Sequence, residues 1–209
     1  EPGATHVFRH GVLIRFEGVV SPRQEQYLYR QLKRAKEKGA DVVVVEIDSP
    51  GGLVSDSHRI YHRLSELRSK KPLVISMKGL AASGGYYIAM AVGKKGKIFA
   101  EPTTWTGSIG VIIPRYDVSK LAEKWQVKSD PLKTGPFKDA LSPFRELSDA
   151  EREVWTTILD DAFQRFLNVI ADNRDNLDYP AVKELATGQV YTADQALKSG
   201  LVDKIGYED

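Results

Sequence analysis

The feature that most constrains the fold of this chain is a run of β-branched residues that ends in a glycine pair. Residues 41–47 read Asp-Val-Val-Val-Val-Glu-Ile, and residues 48–52 read Asp-Ser-Pro-Gly-Gly. A short apolar run closed by turn residues is typical of a strand that is buried on both faces. Such strands belong to parallel sheets whose crossovers are helices. The sequence therefore predicts an α/β protein.

The rest of the chain alternates strand-like and helix-like segments around that run. Further strands are predicted at residues 11–16, 72–77, 97–100 and 108–113. Helices are predicted at residues 22–38, 55–69, 118–125, 149–173, 179–186 and 193–199, and one more helix follows Ser83. Ser21 with Pro22 suits a helix start, and Ser148 with Glu151 forms a capping box. The alternation predicts repeated ββα units, right-handed crossovers and a mostly parallel sheet with flanking helices.

The composition limits what the chain can be. Its 209 residues are 42% hydrophobic, which is enough for the core of a single domain, predicted at 11–209. Residues 1–10 are polar and show no periodic pattern, so we predict a flexible leading segment there. The 30 basic residues nearly balance the 28 acidic ones, so no nucleic-acid partner is expected, and the lysines at 94–97 are interpreted as a solvated turn. The absence of cysteine removes disulfides, thiolate metal sites and a cysteine nucleophile. No apolar run of about 18 residues is present, so we expect no membrane-spanning helix in this sequence.

One serine stands between two apolar runs. Ser83 follows the strand predicted at 72–77, and it precedes Gly84, Gly85 and the apolar residues 86–92. At a strand-to-helix junction a serine hydroxyl can be exposed while the next backbone N–H points at a substrate oxygen, as an acyl-transfer nucleophile requires. Read alone, Ser83 is more simply explained as a helix N-cap. No G-x-S-x-G elbow surrounds it, which argues against an α/β-hydrolase.

The four histidines do not supply a base for this serine. His6 and His10 lie in the leading segment, and His58 and His62 are four residues apart on one predicted helix. The spacing resembles that of a zinc site, but Arg59 stands where a zincin has glutamate, and no third ligand is evident. We therefore interpret both helix histidines as solvated or packed side chains, and we predict no metal site.

A lysine remains as the group that could accept the serine proton. An ordinary lysine, with a pKa of about 10.4, is charged at neutral pH, but burial in an apolar pocket disfavours the ammonium and lets the amine act as a base. The long loop predicted at 126–147 carries Lys133 and Lys138, and apolar residues at 137–141 could shield one of them. Lys138 is the candidate and Lys133 the competitor. Taken singly, both are more simply explained as solvated loop residues.

Two glycine-containing turns could assist such a pair. The turn at 48–52 ends the buried strand, at the edge of an α/β sheet where ligands bind. One N–H from its glycine pair, with the N–H of Gly84, could form an oxyanion hole. The turn at 106–110 adds the hydroxyl of Ser108, which could orient a neutral amine. Each segment is also explained as an ordinary turn.

Five segments, taken in order, resemble those of the signal peptide peptidase A family of Ser–Lys peptidases. They are residues 48–52, 82–87, 106–111, 133–139 and 196–203. The resemblance covers the chain from about Gly11 to Ile205. It implies an α/β fold of the Clp-protease/crotonase type, built from repeated ββα units.

The same resemblance implies the site residues. Ser83 would be the nucleophile and Lys138 the general base, and Ser108 would orient the Lys138 amine. The N–H groups of Gly84 and Gly51 would form the oxyanion hole, with Gly52 as the alternative to Gly51. The resemblance implies neither a cofactor nor a metal.

The family also implies a biological setting. Its members are serine endopeptidases that degrade remnant signal peptides and other peptides at the extracytoplasmic face of the membrane. They form homo-oligomers in which the serine and the lysine of one site can come from neighbouring subunits. Their membrane association runs through an N-terminal anchor, so we expect this chain to be a soluble part of such a protein.

Two other functions stay open at this point. A crotonase-type acyl-CoA hydratase or hydrolase would share the fold and the oxyanion hole, but it would need acidic residues near that hole and would have no use for Ser83 with Lys138. A non-catalytic scaffold would keep the fold for assembly alone. Thioester assays and a serine-directed covalent probe separate these functions from a peptidase.

Overall fold

The computed structural model describes residues 10–207, and these residues form two compact units. The sheet unit comprises the described residues up to Gly110 and those from Arg165 onward. The loop unit is Val111–Gln164. The leading segment predicted at 1–10 lies outside the described residues except for His10. The single domain predicted at 11–209 stays a prediction.

A seven-stranded sheet forms the centre of the sheet unit. Its strands are β1 (Gly11–Glu17), β2 (Val42–Ser49), β3 (Leu73–Ala82), β4 (Ile98–Ala100), β5 (Trp105–Gly107), β6 (Val190–Thr192) and β7 (Lys204–Ile205). The order β1-β2-β3-β4-β7 is parallel throughout, and β5 pairs in parallel with the end of β3. Among the described strands, β6 alone runs antiparallel to its neighbour. The predicted α/β class with a mostly parallel sheet is therefore confirmed.

Seven helices accompany this sheet in the described residues. They are α1 (Pro22–Glu37), α2 (Val54–Arg68), α3 (Gly84–Ala89), α4 (Ser119–Lys124), α5 (Asp149–Asn173), α6 (Tyr179–Leu185) and α7 (Ala193–Ser199). A 3₁₀ turn at Met90–Val92 prolongs α3. Helix α4 belongs to the loop unit, and α5 begins there and ends in the sheet unit. None of the helices within residues 10–207 is both long and apolar enough to cross a membrane.

The core of the sheet unit forms where β2 and β3 meet helices α2 and α3. Val45 of β2 lies beside Ile75 of β3, and Ile47 lies beside Met77. All four side chains are fully buried. The β-branched run of β2 is therefore a buried strand, because the parallel strands β1 and β3 flank it on both sides.

One predicted strand is wrong. Residues 108–113 were expected to be extended, whereas β5 ends at Gly107. Ser108 has a φ of 47°, which an extended strand does not allow, and its N–H turns to the carbonyl of Gln189 at 2.7 Å. The apolar residues that follow Ser108 are typical of a strand. The residues that pair with β3 and β6 are 105–107, however, and they begin three residues before the predicted strand.

The two predicted helix starts have different outcomes. Ser21 and Pro22 occupy the expected positions at the start of α1, but the Ser21 side chain makes no capping hydrogen bond. The capping box before α5 is confirmed, since the Glu151 carboxylate accepts the Ser148 N–H at 2.9 Å and the Ser148 hydroxyl accepts the Glu151 N–H at 3.3 Å.

The loop unit has little regular structure between α4 and α5. Residues 125–148 form turns and irregular backbone, as predicted for 126–147. Arg145 holds this segment together, because its guanidinium donates hydrogen bonds to the carboxylates of Asp139 and Glu151. These bonds lower the pKa of both carboxyl groups below their usual values.

Candidate active site

The carboxyl ends of three strands bring the predicted turns together in the sheet unit. Ser49 at the end of β2 pairs with Ala81 of β3, and Ala82 of β3 pairs with Gly107 of β5. The turn at 49–52, the β3–α3 junction and the turn at 107–110 are therefore neighbours. This edge is where open α/β sheets bind their ligands.

Ser83 has a strained backbone at the β3–α3 junction. Its φ of 52° and ψ of −118° are a combination that residues other than glycine rarely adopt, at a cost of about 1–3 kcal/mol. Two hydrogen bonds hold it there: its N–H donates to the Gly107 carbonyl at 2.8 Å, and its carbonyl accepts the Tyr87 N–H at 2.9 Å. The half-buried side chain makes no capping hydrogen bond, so the helix-cap explanation of Ser83 fails.

The two glycines that follow Ser83 allow close packing of the turns. A Cβ atom on Gly84 would collide with the hydroxyl of Ser57, and one on Gly85 would lie 2.9 Å from the carbonyl oxygen of Ser49. Gly84 is the first residue of α3, so its N–H has no acceptor within the helix. That N–H is available to a ligand at the sheet edge.

Gly51 is pressed against the same junction. Its φ is 96°, and a Cβ atom on it would lie 2.6 Å from the Gly84 nitrogen and 2.8 Å from the Ser83 Cβ. The Gly51 N–H donates a hydrogen bond to the Ser49 hydroxyl at 3.1 Å, and the Gly51 carbonyl accepts the Val20 N–H at 2.8 Å. The backbone groups of Gly51 are therefore engaged within the protein.

Gly52 lies next to Gly84 as well. Its nitrogen is 3.2 Å from the position that a Cβ atom on Gly84 would occupy. A Cβ atom on Gly52 would collide with the Val20 carbonyl oxygen, so the close approach of the segment at Val20 requires glycine. The Gly52 nitrogen thus lies against Gly84, whereas the Gly51 N–H already has an acceptor.

Ser108 and Lys138 lie in different units. Ser108 follows β5 in the sheet unit, and it is half-buried one residue beyond the Gly107 carbonyl that binds Ser83. Lys138 belongs to the loop unit, where its side chain is exposed. The expected shielding is incomplete within the chain: Ala140 is buried, but Phe137 is 48% exposed and Leu141 is 38% exposed.

The two candidate lysines have different surroundings in the loop unit. The Lys133 ammonium donates to the Asp139 carboxylate at 2.6 Å and to the Pro136 carbonyl at 3.2 Å. The Lys138 ammonium makes no hydrogen bond or ion pair with any residue in 10–207, and its backbone N–H donates to the Gly135 carbonyl at 3.3 Å.

The helix histidines are packed or solvated side chains, as interpreted. Nδ1 of His58 is 2.8 Å from the Tyr87 hydroxyl, and burial lowers the pKa of His58, with Arg165 and His62 acting in the same direction. Burial also raises the pKa of Tyr87 to about 12. His62 lies 3.5 Å from the Glu66 carboxylate at the surface.

Sequence reasoning missed the residues that hold the turns in place. Ser49 accepts the Gly51 N–H, and Ser57 lies against Gly84. Val20 makes an isolated parallel bridge with Gly52. Ser49 lies inside the motif at 48–52 and so carried a signal, but Val20 and Ser57 lie in unremarkable segments that only the tertiary structure brings to the site.

Comparison with solved structures defines the class of fold. The structure matches a ClpP1 mutant from Listeria monocytogenes with a TM-score of 0.65 and 15% identity, over 94% of this chain and 91% of that one. It matches a mutant of a membrane-bound stomatin-specific protease with a TM-score of 0.59 and 17% identity, over 96% of this chain and 81% of that one. The chain therefore has the Clp-protease fold, as expected.

Comparison of sequences defines the family. The model of the Clp protease family matches residues 10–106, and the model of peptidase family S49 matches residues 65–209. A Synechocystis protein named as a protease is 40% identical over 94% of this chain and 69% of its own length. An Enterococcus faecium protein named as a signal peptide peptidase, SppA, is 41% identical over 89% of this chain and 55% of its own length. The chain belongs to peptidase family S49 and is a serine peptidase of that family.

A more distant relative supports the same family assignment. The chloroplastic serine protease SPPA of Arabidopsis thaliana is 33% identical over 87% of this chain, which corresponds to 26% of that protein. The chain thus spans about two thirds of the length of the Synechocystis protein, about half of the Enterococcus faecium protein and about a quarter of the Arabidopsis protein.

Proposed function

We propose that this chain carries the catalytic machinery of a serine endopeptidase in which Ser83 is the nucleophile and Lys138 is the general base. The observation that carries the proposal is the strained Ser83 at the sheet edge, where the Gly52 nitrogen lies against Gly84. Backbone strain of this kind is characteristic of functional sites. Donors fixed beside a nucleophile stabilise the oxyanion of acyl transfer.

The reaction would follow the pattern of other enzymes in which a serine hydroxyl attacks a carbonyl carbon and forms an acyl-enzyme. The neutral Lys138 amine takes the Ser83 proton while the Ser83 oxygen attacks the peptide carbonyl carbon. The oxyanion of the tetrahedral intermediate accepts two backbone N–H groups. Protonated Lys138 then gives its proton to the leaving amine, and water hydrolyses the acyl-enzyme with Lys138 again as base. Ser108 would orient the amine through its hydroxyl.

Gly84 supplies one of the oxyanion donors in this proposal. The family resemblance assigns the second to Gly51, with Gly52 as the alternative. The hydrogen bond from the Gly51 N–H to Ser49 favours Gly52, because an N–H already committed to a buried acceptor contributes less to a developing oxyanion. The Gly51 peptide would then position the turn rather than bind the substrate.

Lys138 is a better candidate for the base than Lys133. The Lys133 ammonium is already engaged by the Asp139 carboxylate at 2.6 Å. Lys138 has no such partner among the described residues. A neutral lysine base requires an apolar environment, and the described residues leave the Lys138 side chain exposed.

A second copy of the chain would provide that environment. Many large apolar side chains of the loop unit are exposed: Ile112, Tyr116, Leu121, Trp125, Val127, Leu132, Phe137, Leu141, Phe144, Val154 and Ile158. Exposed apolar surface of this extent is characteristic of protein interfaces. We therefore propose a homo-oligomer in which loop units pack against neighbouring subunits and the dyad forms within or between chains.

Peptides are the proposed substrates, and remnant signal peptides are the proposed class among them. The support is the name of the Enterococcus faecium relative, of which this chain spans 55%. Action at the extracytoplasmic face of a membrane and anchoring by an upstream segment are proposed from the resemblance to the signal peptide peptidase A family alone.

A peptide-cleavage assay tests the dyad. Ser83→Ala and Lys138→Ala should each abolish cleavage, and Lys138→Arg should be equally inactive because guanidinium does not lose its proton. Lys128→Ala removes an exposed lysine of the same loop and should keep full activity. Full activity in Lys138→Ala would refute the assignment of the base.

Mixing inactive variants tests where the dyad forms. Ser83→Ala and Lys138→Ala subunits are unfolded, mixed and refolded together. If the serine and lysine of one site come from different subunits, some sites pair an intact serine with an intact lysine, and activity returns. If both come from one chain, the mixture stays inactive. Light scattering on each sample establishes that the variants assemble.

A further inference from the structure

A groove of about 990 Å³ lies on the sheet unit at the amino ends of β2, β3 and β4. Residues at the starts of these strands line it, together with the turn after α2 and the turn before β4. Ser83 follows the carboxyl end of β3, so the groove lies at the other end of that strand, roughly 30 Å away for ten extended residues. The groove is therefore separate from the candidate active site.

Five lysines form the rim of this groove. They are Lys70, Lys71, Lys94, Lys95 and Lys97. Lys94, Lys95 and Lys97 lie together in one turn of the sequence. Lys70 and Lys71 lie in a turn more than twenty residues earlier, and the tertiary structure brings that turn to the same groove. The interpretation of residues 94–97 as a solvated turn did not include Lys70 and Lys71 as neighbours.

The rim carries excess positive charge. Lys94 is 3.7 Å from Asp175, and Lys97 is 3.9 Å from Asp203. The Lys71 ammonium donates to the Ala40 carbonyl, which leaves its charge uncompensated. Lys70 and Lys95 make no ion pair with any residue in 10–207. Like charges held this close together attract an anion.

The floor of the groove is apolar. Its lining includes the half-buried side chains Val74 of β3 and Phe99 of β4, whereas Val92 of the 3₁₀ turn is buried. Arg68 and Asn173 form part of the wall, but their polar groups bond to each other at 3.0 Å. The Arg68 guanidinium also donates to the Ala91 carbonyl at 3.1 Å. The wall therefore offers few unsatisfied polar groups.

The rim of this groove donates hydrogen bonds and accepts none, and apolar side chains lie beside it. Such a groove favours a ligand that carries both acceptor oxygens and apolar groups. Lysine ammonium groups donate hydrogen bonds and accept none. A bound peptide would bring backbone N–H groups that need acceptors, and Asp172 supplies the one carboxylate side chain of the described lining. A phospholipid with an anionic headgroup brings acceptor oxygens and apolar chains, and no backbone donors. We propose that this groove binds an anionic phospholipid at a membrane surface.

Vesicle co-sedimentation tests the proposal with the whole chain. Vesicles of phosphatidylcholine alone are compared with an equimolar mixture of phosphatidylcholine and phosphatidylglycerol. The protein should bind the mixed vesicles and should not bind neutral ones. Raising the salt from about 0.05 M to about 0.5 M should release it, because salt screens exposed charges. The double variant Lys70→Glu/Lys95→Glu should bind at least about tenfold more weakly.

A charge-matched control separates this site from general attraction. Lys120→Glu/Lys124→Glu makes the same change in net charge on exposed lysines of α4, and it should bind mixed vesicles like the wild type. Equal loss of binding in both double variants would overturn the proposal, and so would equal binding to neutral vesicles. Binding of polyglutamate with no binding of vesicles would assign the groove to a polypeptide instead. Ser83→Ala should bind vesicles like the wild type. Vesicle binding and peptide cleavage are therefore independent measurements, and either proposal can fail without the other.

Discussion

The hydroxyl of Ser49 accepts the backbone N–H of Gly51 at 3.1 Å, and both residues are buried. This bond fixes the turn at 49–52 at the position where a Cβ atom on Gly51 would meet the Ser83 Cβ at 2.8 Å. Ser49 also packs its carbonyl oxygen against Gly85. One serine therefore holds the proposed oxyanion turn against the proposed nucleophile, without being placed to touch the substrate.

Ser49→Ala should lower kcat up to about tenfold and leave KM nearly unchanged. The variant leaves the Gly51 N–H without its acceptor, and a single hydrogen bond contributes about 0.5–1.5 kcal/mol. Steady-state kinetics on a peptide substrate measure the effect. Ser65→Ala is the matched control, because the buried Ser65 hydroxyl makes no hydrogen bond. An unaltered kcat in Ser49→Ala would mean that the bond does not position the turn.

Gly51→Ala should abolish labelling of Ser83 by a serine-directed covalent probe. The new Cβ atom would lie 2.6 Å from the Gly84 nitrogen, and the φ of 96° is strained for alanine. We expect a loss of about 1–3 kcal/mol in the free energy of unfolding as well. Gly206→Ala should change neither property, since nothing lies within 4 Å of the added atom. Normal labelling of Gly51→Ala would contradict the close approach of the two turns.

The loop that carries Lys138 should loosen in acid. Hydrogen bonds from Arg145 and Lys133 hold the pKa of Asp139 well below its usual value, which is about 3.9 in an unfolded chain. A group with a lowered pKa stabilises the fold above the unfolded value, and that stability is lost as the pH falls below it. Hydrogen exchange of residues 133–147, corrected for intrinsic rates, should therefore lose protection below about pH 4.

Two variants check the cause of that acid loosening. Asp139→Asn should lose the protection already at neutral pH, because the amide cannot pair with Arg145 as a carboxylate does. Asp130→Asn changes an exposed aspartate of the same loop and should behave like the wild type. Protection of Asp139→Asn at neutral pH equal to that of the wild type would show that other contacts hold the loop.

Arg174→Ala should be strongly destabilising. The side chain is 4% exposed, and its guanidinium donates to the Gly200 carbonyl at 2.7 Å and to the Asp203 carboxylate at 2.8 Å. Burial alone would raise the pKa of Asp203, but bonds from Arg174 and from the Ile98 N–H hold it below its usual value. Removing the guanidinium takes its hydrogen bonds from the half-buried Asp203 carboxylate, which keeps Lys97 at 3.9 Å and the Ile98 N–H, so we expect a cost of about 1.5–3 kcal/mol.

Urea denaturation measures the effect of Arg174→Ala on the free energy of unfolding. Arg152→Ala removes an exposed arginine of α5 and should cost less than about 0.5 kcal/mol. A cost for Arg174→Ala no larger than that of the control would refute the structural role of the pair.

Most of the fold could be predicted because its signals are local. The β-branched run of β2, the capping box before α5 and the strand-to-helix junction at Ser83 each depend on residues within one short segment. The strand predicted at 108–113 failed for the opposite reason. Its position depends on pairing of β5 with β3 and β6, which are distant in sequence, and on the positive φ of Ser108.

Composition and short-range periodicity were sufficient to predict the α/β class, the order of the segments around Ser83 and the lack of a suitable histidine. Three other properties became visible in the folded chain alone: Ser83 is strained rather than a helix cap, Ser49 accepts the Gly51 N–H, and two separate lysine turns line one groove. These properties arise from contacts between segments far apart in the chain. Such contacts depend on how the strands and helices pack, and no local pattern of residues encodes them.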